Sequence, residues 1–178
     1  MYTGIMLYPR FSEYEVSVLL SILKQGEKSI IHIGLDKQVV KGEAGLSCVP
    51  DVRIDEVDVS ALDSIALPGV DDFRHLVEHP ELITFLRKLQ NKKIWLGAIS
   101  SAPYLLSMSG LLDGKKYTTG LTEEQRCFLG TFSKADFIEE PVVVDDNLIT
   151  ARGSHFIEFA IEFGKALGLD FDESWYKN

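Results

Sequence analysis

Cysteine is nearly absent from the chain: its 178 residues include two, Cys48 and Cys127, far apart and in no C-x-x-C spacing. That excludes a disulfide framework and a thiolate zinc site, and makes a reducing cytoplasm the expected compartment. Basic residues are outnumbered, 18 Lys and Arg against 27 Asp and Glu, for a net charge of −9. A surface that acidic repels phosphate, so nucleic acid and anionic membrane are not expected as partners. No apolar run reaches the ~18 residues of a membrane span. Met1–Tyr8 has no basic n-region and no cleavage site, so no secretory leader is expected. The four histidines form no His/Asp/Glu spacing typical of a metal site. No metal and no cofactor is therefore expected. Repeats, low-complexity tracts and linkers are absent too.

The rest is ordinary for a globular protein, with 46% apolar and 25% charged residues. At roughly 150 residues per domain, residues 1–178 are expected to form a single domain. Strand-like and helix-like segments alternate. Gly4–Tyr8 reads as a buried strand, and Glu13–Gln25 as an amphipathic helix with Val16, Leu19, Leu20 and Leu23 on one face. Ser29–Gly34 and Ser64–Leu67 read as strands, and Pro80–Asn91 as a helix. The continuous apolar run Ile94–Ile99 is typical of a central parallel strand covered on both sides. Ala102–Leu112 follows as a helix. Val142–Val144 and Leu148–Ala151, joined by Asp145-Asp146-Asn147, read as a hairpin, and Ser154–Leu167 as a helix capped by Gly168. Thr119–Pro141 has poor apolar periodicity. The alternation predicts an α/β fold: a mostly parallel sheet, helices on both faces and one antiparallel hairpin.

In such sheets ligands sit at the carboxyl ends of strands. One strand end stands out, Ala98-Ile99-Ser100-Ser101-Ala102, where a long apolar strand turns at once into a helix. So tight a turn needs small residues two before and two after its apex. Ala98 and Ala102 meet that need, and Ser100 is the apex, as at a nucleophile elbow. The competing reading makes Ser100 or Ser101 a plain helix N-cap.

The run Ile94–Leu106 followed by Ser109-Gly110-Leu111-Leu112-Asp113-Gly114 and Thr118-Thr119 resembles the core signature of the ThiJ/PfpI superfamily. Leu67-Pro68-Gly69, Phe11-Ser12-Glu13-Tyr14-Glu15 and Thr150-Ala151-Arg152-Gly153 match further motifs of that superfamily, in the same order along nearly the whole chain. The resemblance implies the glutamine amidotransferase-like fold, a flavodoxin-like three-layer α/β/α sandwich. It also implies a homodimer, with the aromatic residues Tyr8, Phe11 and Tyr14 near the pocket where a partner would cover them.

Carried over residue by residue, the superfamily's acid falls on Glu15, expected to lie buried beside the nucleophile with a raised pKa. The nucleophilic cysteine position holds Ser100, and the histidine after Thr-Thr falls on Gly120. Gly69, Val70 and Ser101 take the oxyanion and pocket positions, with the Val70 and Ser101 N–H groups as donors. A serine hydroxyl, unlike a thiol, needs an adjacent base. The two departures therefore remove both halves of the usual chemistry. His155 is the one histidine placed to stand in as base, against the reading that it faces solvent at a helix start. Cys48 and Cys127 are read as spectators, and His32 as a satisfied core histidine. Three readings stay open. One is a weak Ser-based hydrolase of the protease or amidase type, using Ser100, Glu15 and His155. Another is a non-catalytic, stress-response or regulatory member keeping the pocket to bind a partner or a small molecule, such as a carbonyl or amide ligand. The third is an engineered Cys→Ser change at position 100, against which the loss of histidine at Gly120 argues.

Overall fold

A computed structural model describes residues 1–134 and 136–177; Ala135, inside the weakly patterned stretch, and Asn178 lie outside the described residues. The chain order is β1 (Tyr2–Leu7), α1 (Glu13–Gln25), β2 (Ile30–Gly34), β3 (Val40–Lys41), β4 (Ser47–Cys48), β5 (Val52–Arg53), β6 (Leu62–Leu67), α2 (Pro80–Arg87), β7 (Trp95–Ile99), α3 (Pro103–Ser109), α4 (Glu123–Leu129), β8 (Val142–Asp145), β9 (Leu148–Ala151) and α5 (Phe156–Ala166). Seven strands form one sheet in the order β5-β2-β1-β6-β7-β9-β8. Every pairing is parallel except β8–β9, the expected hairpin. The small antiparallel pair β3–β4 stands outside it.

Helices α1 and α5 pack on one another, and α2 and α3 on one another, which gives the two helical layers. The central strands are buried nearly throughout because both faces are covered, so β7 reads Trp-Leu-Gly-Ala-Ile without polar alternation. Gly97 in that strand is forced by packing. A Cβ there would stand 2.5 Å from the Phe163 ring of α5. Two helices are shorter than the periodicity predicts. α2 ends at Arg87 and α3 at Ser109, where Gly110 turns left-handed with φ 80°. Gly168, at φ 65°, follows α5 as expected.

Four short elements escaped the sequence reading: the two-residue strands β3, β4 and β5, and helix α4. α4 carries a signal that periodicity ignores. Thr122 and Gln125 form a capping box, Thr122 Oγ1 accepting from the Gln125 N–H at 3.2 Å and Gln125 Oε1 from the Thr122 N–H at 2.8 Å. His32 is not a core residue. β2 is flanked on its outer side by the short β5 alone, so His32 is half-exposed, with Nδ1 2.9 Å from Asp51 Oδ2.

Candidate functional site

β6, β7 and β9 are in register, Leu67 beside Ala98 and Ile99 beside Ala151. The residues just past their ends, Pro68–Val70, Ser100–Ser101 and Arg152–Gly153, therefore converge. Ser100 is left-handed, φ 63°, at the strand-to-helix turn. This is costly for a residue with a Cβ and is held only because its surroundings over-determine it. Its N–H donates to the Ala151 carbonyl at 2.9 Å. Its own carbonyl accepts from the Gly120 N–H at 2.8 Å and the Thr119 hydroxyl at 2.6 Å. The N-cap reading fails, because α3 starts after Ala102 and receives no side-chain cap.

Glu15 sits in the first turn of α1, 1% exposed, with its carboxylate beside the Ser100 side chain. The Gly69 N–H donates to Oε2 at 2.5 Å and the Tyr14 hydroxyl to Oε1 at 3.3 Å. Burial outweighs these donors and pushes the Glu15 carboxyl up to about 7. Two glycines make room for the pair. A Cβ at Gly69 would come within 2.7 Å of Ser100 Cβ, and one at Gly153 within 2.9 Å of both Ser100 Oγ and Glu15 Oε1. Tyr8 lies behind, its hydroxyl donating to the Pro68 carbonyl and its pKa raised by burial first and by Glu15 second.

The three backbone donors of the pocket are committed unequally. Gly69 N–H is taken by Glu15. Val70 N–H is taken by the Ser101 hydroxyl at 3.0 Å, which also donates back to the Val70 carbonyl at 3.3 Å. Ser101 N–H has no acceptor among the described residues. A Cβ at Gly120 would be 3.3 Å from Ser100 Cα and 3.4 Å from Oγ. His155, read as a candidate base for Ser100, has its Nδ1 3.0 Å from Ser154 Oγ. Of the three aromatic residues expected at the rim, Tyr8 and Phe11 are buried within the chain, and Tyr14, 44% exposed, remains open.

Sequence reasoning missed a cavity of about 700 Å³ that opens beside Ser100. It is bounded by Thr119 and Gly120, the aromatic rings of Tyr117, Phe132 and Phe137, and the charged side chains of α4 and Arg152. Cys127 lies in its lining, and Cys48 borders a smaller apolar cleft under the β3–β4 pair. Among the described residues no cluster of three His, Cys, Asp or Glu is arranged to hold a metal ion. No helix among the described residues is long and apolar enough to cross a membrane.

A model of the DJ-1/PfpI family matches residues 4–166. The chain is 28% identical to the "Uncharacterized protease YoaZ" of Bacillus subtilis, over 96% of this chain and 87% of the relative. It is 30% identical to "Protein DJ-1 homolog A" of Arabidopsis thaliana, over 87% of this chain, and spans 38% of that longer relative. Among solved structures, a thiJ/pfpI family protein from Bacillus anthracis superposes with a TM-score of 0.88 at 23% identity, covering 98% of this chain and 88% of the other.

Proposed function

The chain belongs to the DJ-1/PfpI family, and from that premise we propose that Ser100 and Glu15 form a serine-based hydrolase site. It takes small carbonyl or amide compounds and binds them better than it turns them over. The observation that carries this reading is the burial of Glu15 against Ser100: a Gly153 Cβ would stand 2.9 Å from both Ser100 Oγ and Glu15 Oε1, and the carboxyl is pushed up to about 7. That value lies close to the ~6.5 of an unperturbed imidazole. Burial has thus given Glu15 the proton affinity that the missing histidine would supply, which suits general-base work near neutral pH.

In the proposed step Ser100 Oγ attacks the carbonyl carbon while Glu15 takes the hydroxyl proton. The oxyanion forms against the Ser101 N–H. Val70 N–H joins only when the Ser101 hydroxyl swings off it, and this is why turnover is expected to be slow. One missing oxyanion donor costs ~10²–10³ in rate. The same plug favours the second reading, a pocket retained for binding alone.

The test is a panel of p-nitrophenyl esters, small amides and methylglyoxal, run on wild type, Ser100→Ala, Glu15→Gln and His155→Ala. Slow turnover is expected, rising with pH through about 7 as Glu15 ionises. It should vanish in Ser100→Ala and Glu15→Gln and persist in His155→Ala. Wild-type turnover unaffected by Ser100→Ala would refute the site, and loss in His155→Ala would move the base role to His155.

Further calls belong to the same proposal. We read the chain as one domain, supported by a single sheet whose strands come from both halves of the sequence. Two unpaired cysteines support a reducing cytoplasmic setting. A homodimer is supported by exposed apolar side chains around the β3–β4 pair, Val39, Leu46 and Val49, together with Tyr14. Light scattering giving a monomer at all concentrations would contradict it.

A further inference from the structure

We propose that the cavity beside Ser100 is a subsite for a small monocarboxylate with an aromatic body, its carboxylate held by Arg152. The inference rests on the proposed function for the position of the reacting carbonyl at Ser100, and extends it to the chemical class of the molecule.

Arg152 follows the last residue of β9, whose carbonyl fixes the Ser100 N–H, and precedes Gly153, which lies against Ser100 Oγ. Its own N–H donates to the Pro141 carbonyl at 2.9 Å, so its backbone is held. Its guanidinium Nε is buried and has no hydrogen-bond partner among the described residues. The Arg152 side chain as a whole is 35% exposed, so the outer nitrogens of the guanidinium, not the buried Nε, are the ones that would meet an incoming oxygen acceptor. The remaining contact of the guanidinium is weak. Nη2 lies 3.5 Å from Glu139 Oε1, and the Glu139 side chain is 85% exposed. A solvated partner of that kind is easily displaced.

The charge balance of the cavity selects the anion. Arg126, Lys134 and Arg152 line it together with Glu123 and Glu139. Lys134 pairs with Glu123 at 3.4 Å and Arg152 with Glu139. Arg126 is left without a carboxylate partner among the described residues, its Nη1 donating to the Leu121 carbonyl at 2.6 Å and its guanidinium stacked 3.7 Å over the Phe137 ring. One net positive charge matches a monoanion rather than a phosphate dianion. The planar fork of arginine also fits a carboxylate in two-point fashion. The aromatic rings of Tyr117, Phe132 and Phe137 give an apolar wall for the body of the ligand. Gly120 and Thr119, which line this cavity, both hydrogen-bond the Ser100 carbonyl and so set it next to the serine.

The test is direct binding, by calorimetry, of three probes: phenylpyruvate, phenylacetone as its neutral counterpart, and phenyl phosphate as a dianion. Wild type is expected to bind phenylpyruvate about tenfold more tightly than phenylacetone, the size of one charge-assisted contact. In Arg152→Gln that gap is expected to close to within about threefold while phenylacetone binds as before. A misfolded variant would instead weaken both probes, and Arg152→Lys, which keeps charge but loses the fork, is then used and should retain part of the gap. No gap in wild type, or a gap that survives Arg152→Gln, overturns the inference. Phenyl phosphate binding as tightly as phenylpyruvate overturns the monocarboxylate class. The gap is expected to persist in Ser100→Ala. A gap without Ser100-dependent turnover would sink the hydrolase reading alone, and turnover without a gap would sink this one alone.

Discussion

On one side of Ser100 stand Glu15, Gly69 and Gly153, packed so closely that a single added carbon on either glycine collides with the serine. On the other stand residues between Thr119 and Glu139, which line an open cavity and approach Ser100 through Thr119 and Gly120. The first side is built from strand ends locked in parallel register. The second is built from a short capped helix and loops. The difference separates two tasks. Close packing holds a strained serine and sets the proton affinity of its neighbour, while the looser wall leaves room for a ligand and for variation in what it binds.

The largest expected effect concerns the tight side. Glu15 has a folded pKa of about 7 against the ordinary 4.5 of a free glutamate, so the folded state holds this proton where the unfolded chain has lost it. Stability from this group is full below pH 4.5 and falls as pH rises toward 7. At ~1.4 kcal/mol per pKa unit, this amounts to about 3 kcal/mol. Urea denaturation of wild type and Glu15→Gln at pH 5 and pH 8 is expected to show that shift in favour of the variant at pH 8. A pH-independent difference would mean that Glu15 is not the buried acid described.

Next comes the contrast between glycines. Gly69→Ala must displace Ser100 and is expected to lose about 2 kcal/mol, in the usual range for overpacking, together with any Ser100-dependent activity. Gly120→Ala meets Ser100 at 3.3–3.5 Å and is expected to cost well under that. Equal losses in the two variants, read from denaturation midpoints, would erase the distinction between the two sides.

A smaller effect tests the strain. Ser100→Gly relieves a left-handed conformation and is expected to raise stability by about 1 kcal/mol while abolishing reaction at this residue. Thermal melts measured alongside Ser100→Ala, which keeps the strain, isolate the conformational part.

The smallest effect falls on the loose wall. Thr122→Ala removes the cap of α4 and is expected to cost about 0.5–1 kcal/mol. The loss should appear first as faster amide exchange over Arg126–Gly130, with the Ser100–Glu15 pair undisturbed. Exchange that accelerates equally across β7 would mean the two sides unfold as one unit.

Much of this molecule follows from local rules. The apolar run at Ile94–Ile99, the small residues Ala98 and Ala102 around Ser100, and the turn Asp145–Asn147 are short-range steric and burial signals. They suffice for the α/β alternation, the elbow and the hairpin. α4 was legible too, through Thr122 and Gln125, though not through apolar spacing, because the helix buries no residue. Tertiary structure alone decided the rest. Which donor meets which acceptor among Gly69, Val70, Ser101 and Glu15 depends on residues up to 54 positions apart, brought together by strand register. The orphaned Nε of Arg152 and the cavity beside Gly120 depend likewise on how distant segments dock. A sequence names the groups that can ionise or donate. Burial and distance, which set their proton affinities and their partners, exist only once the chain has folded.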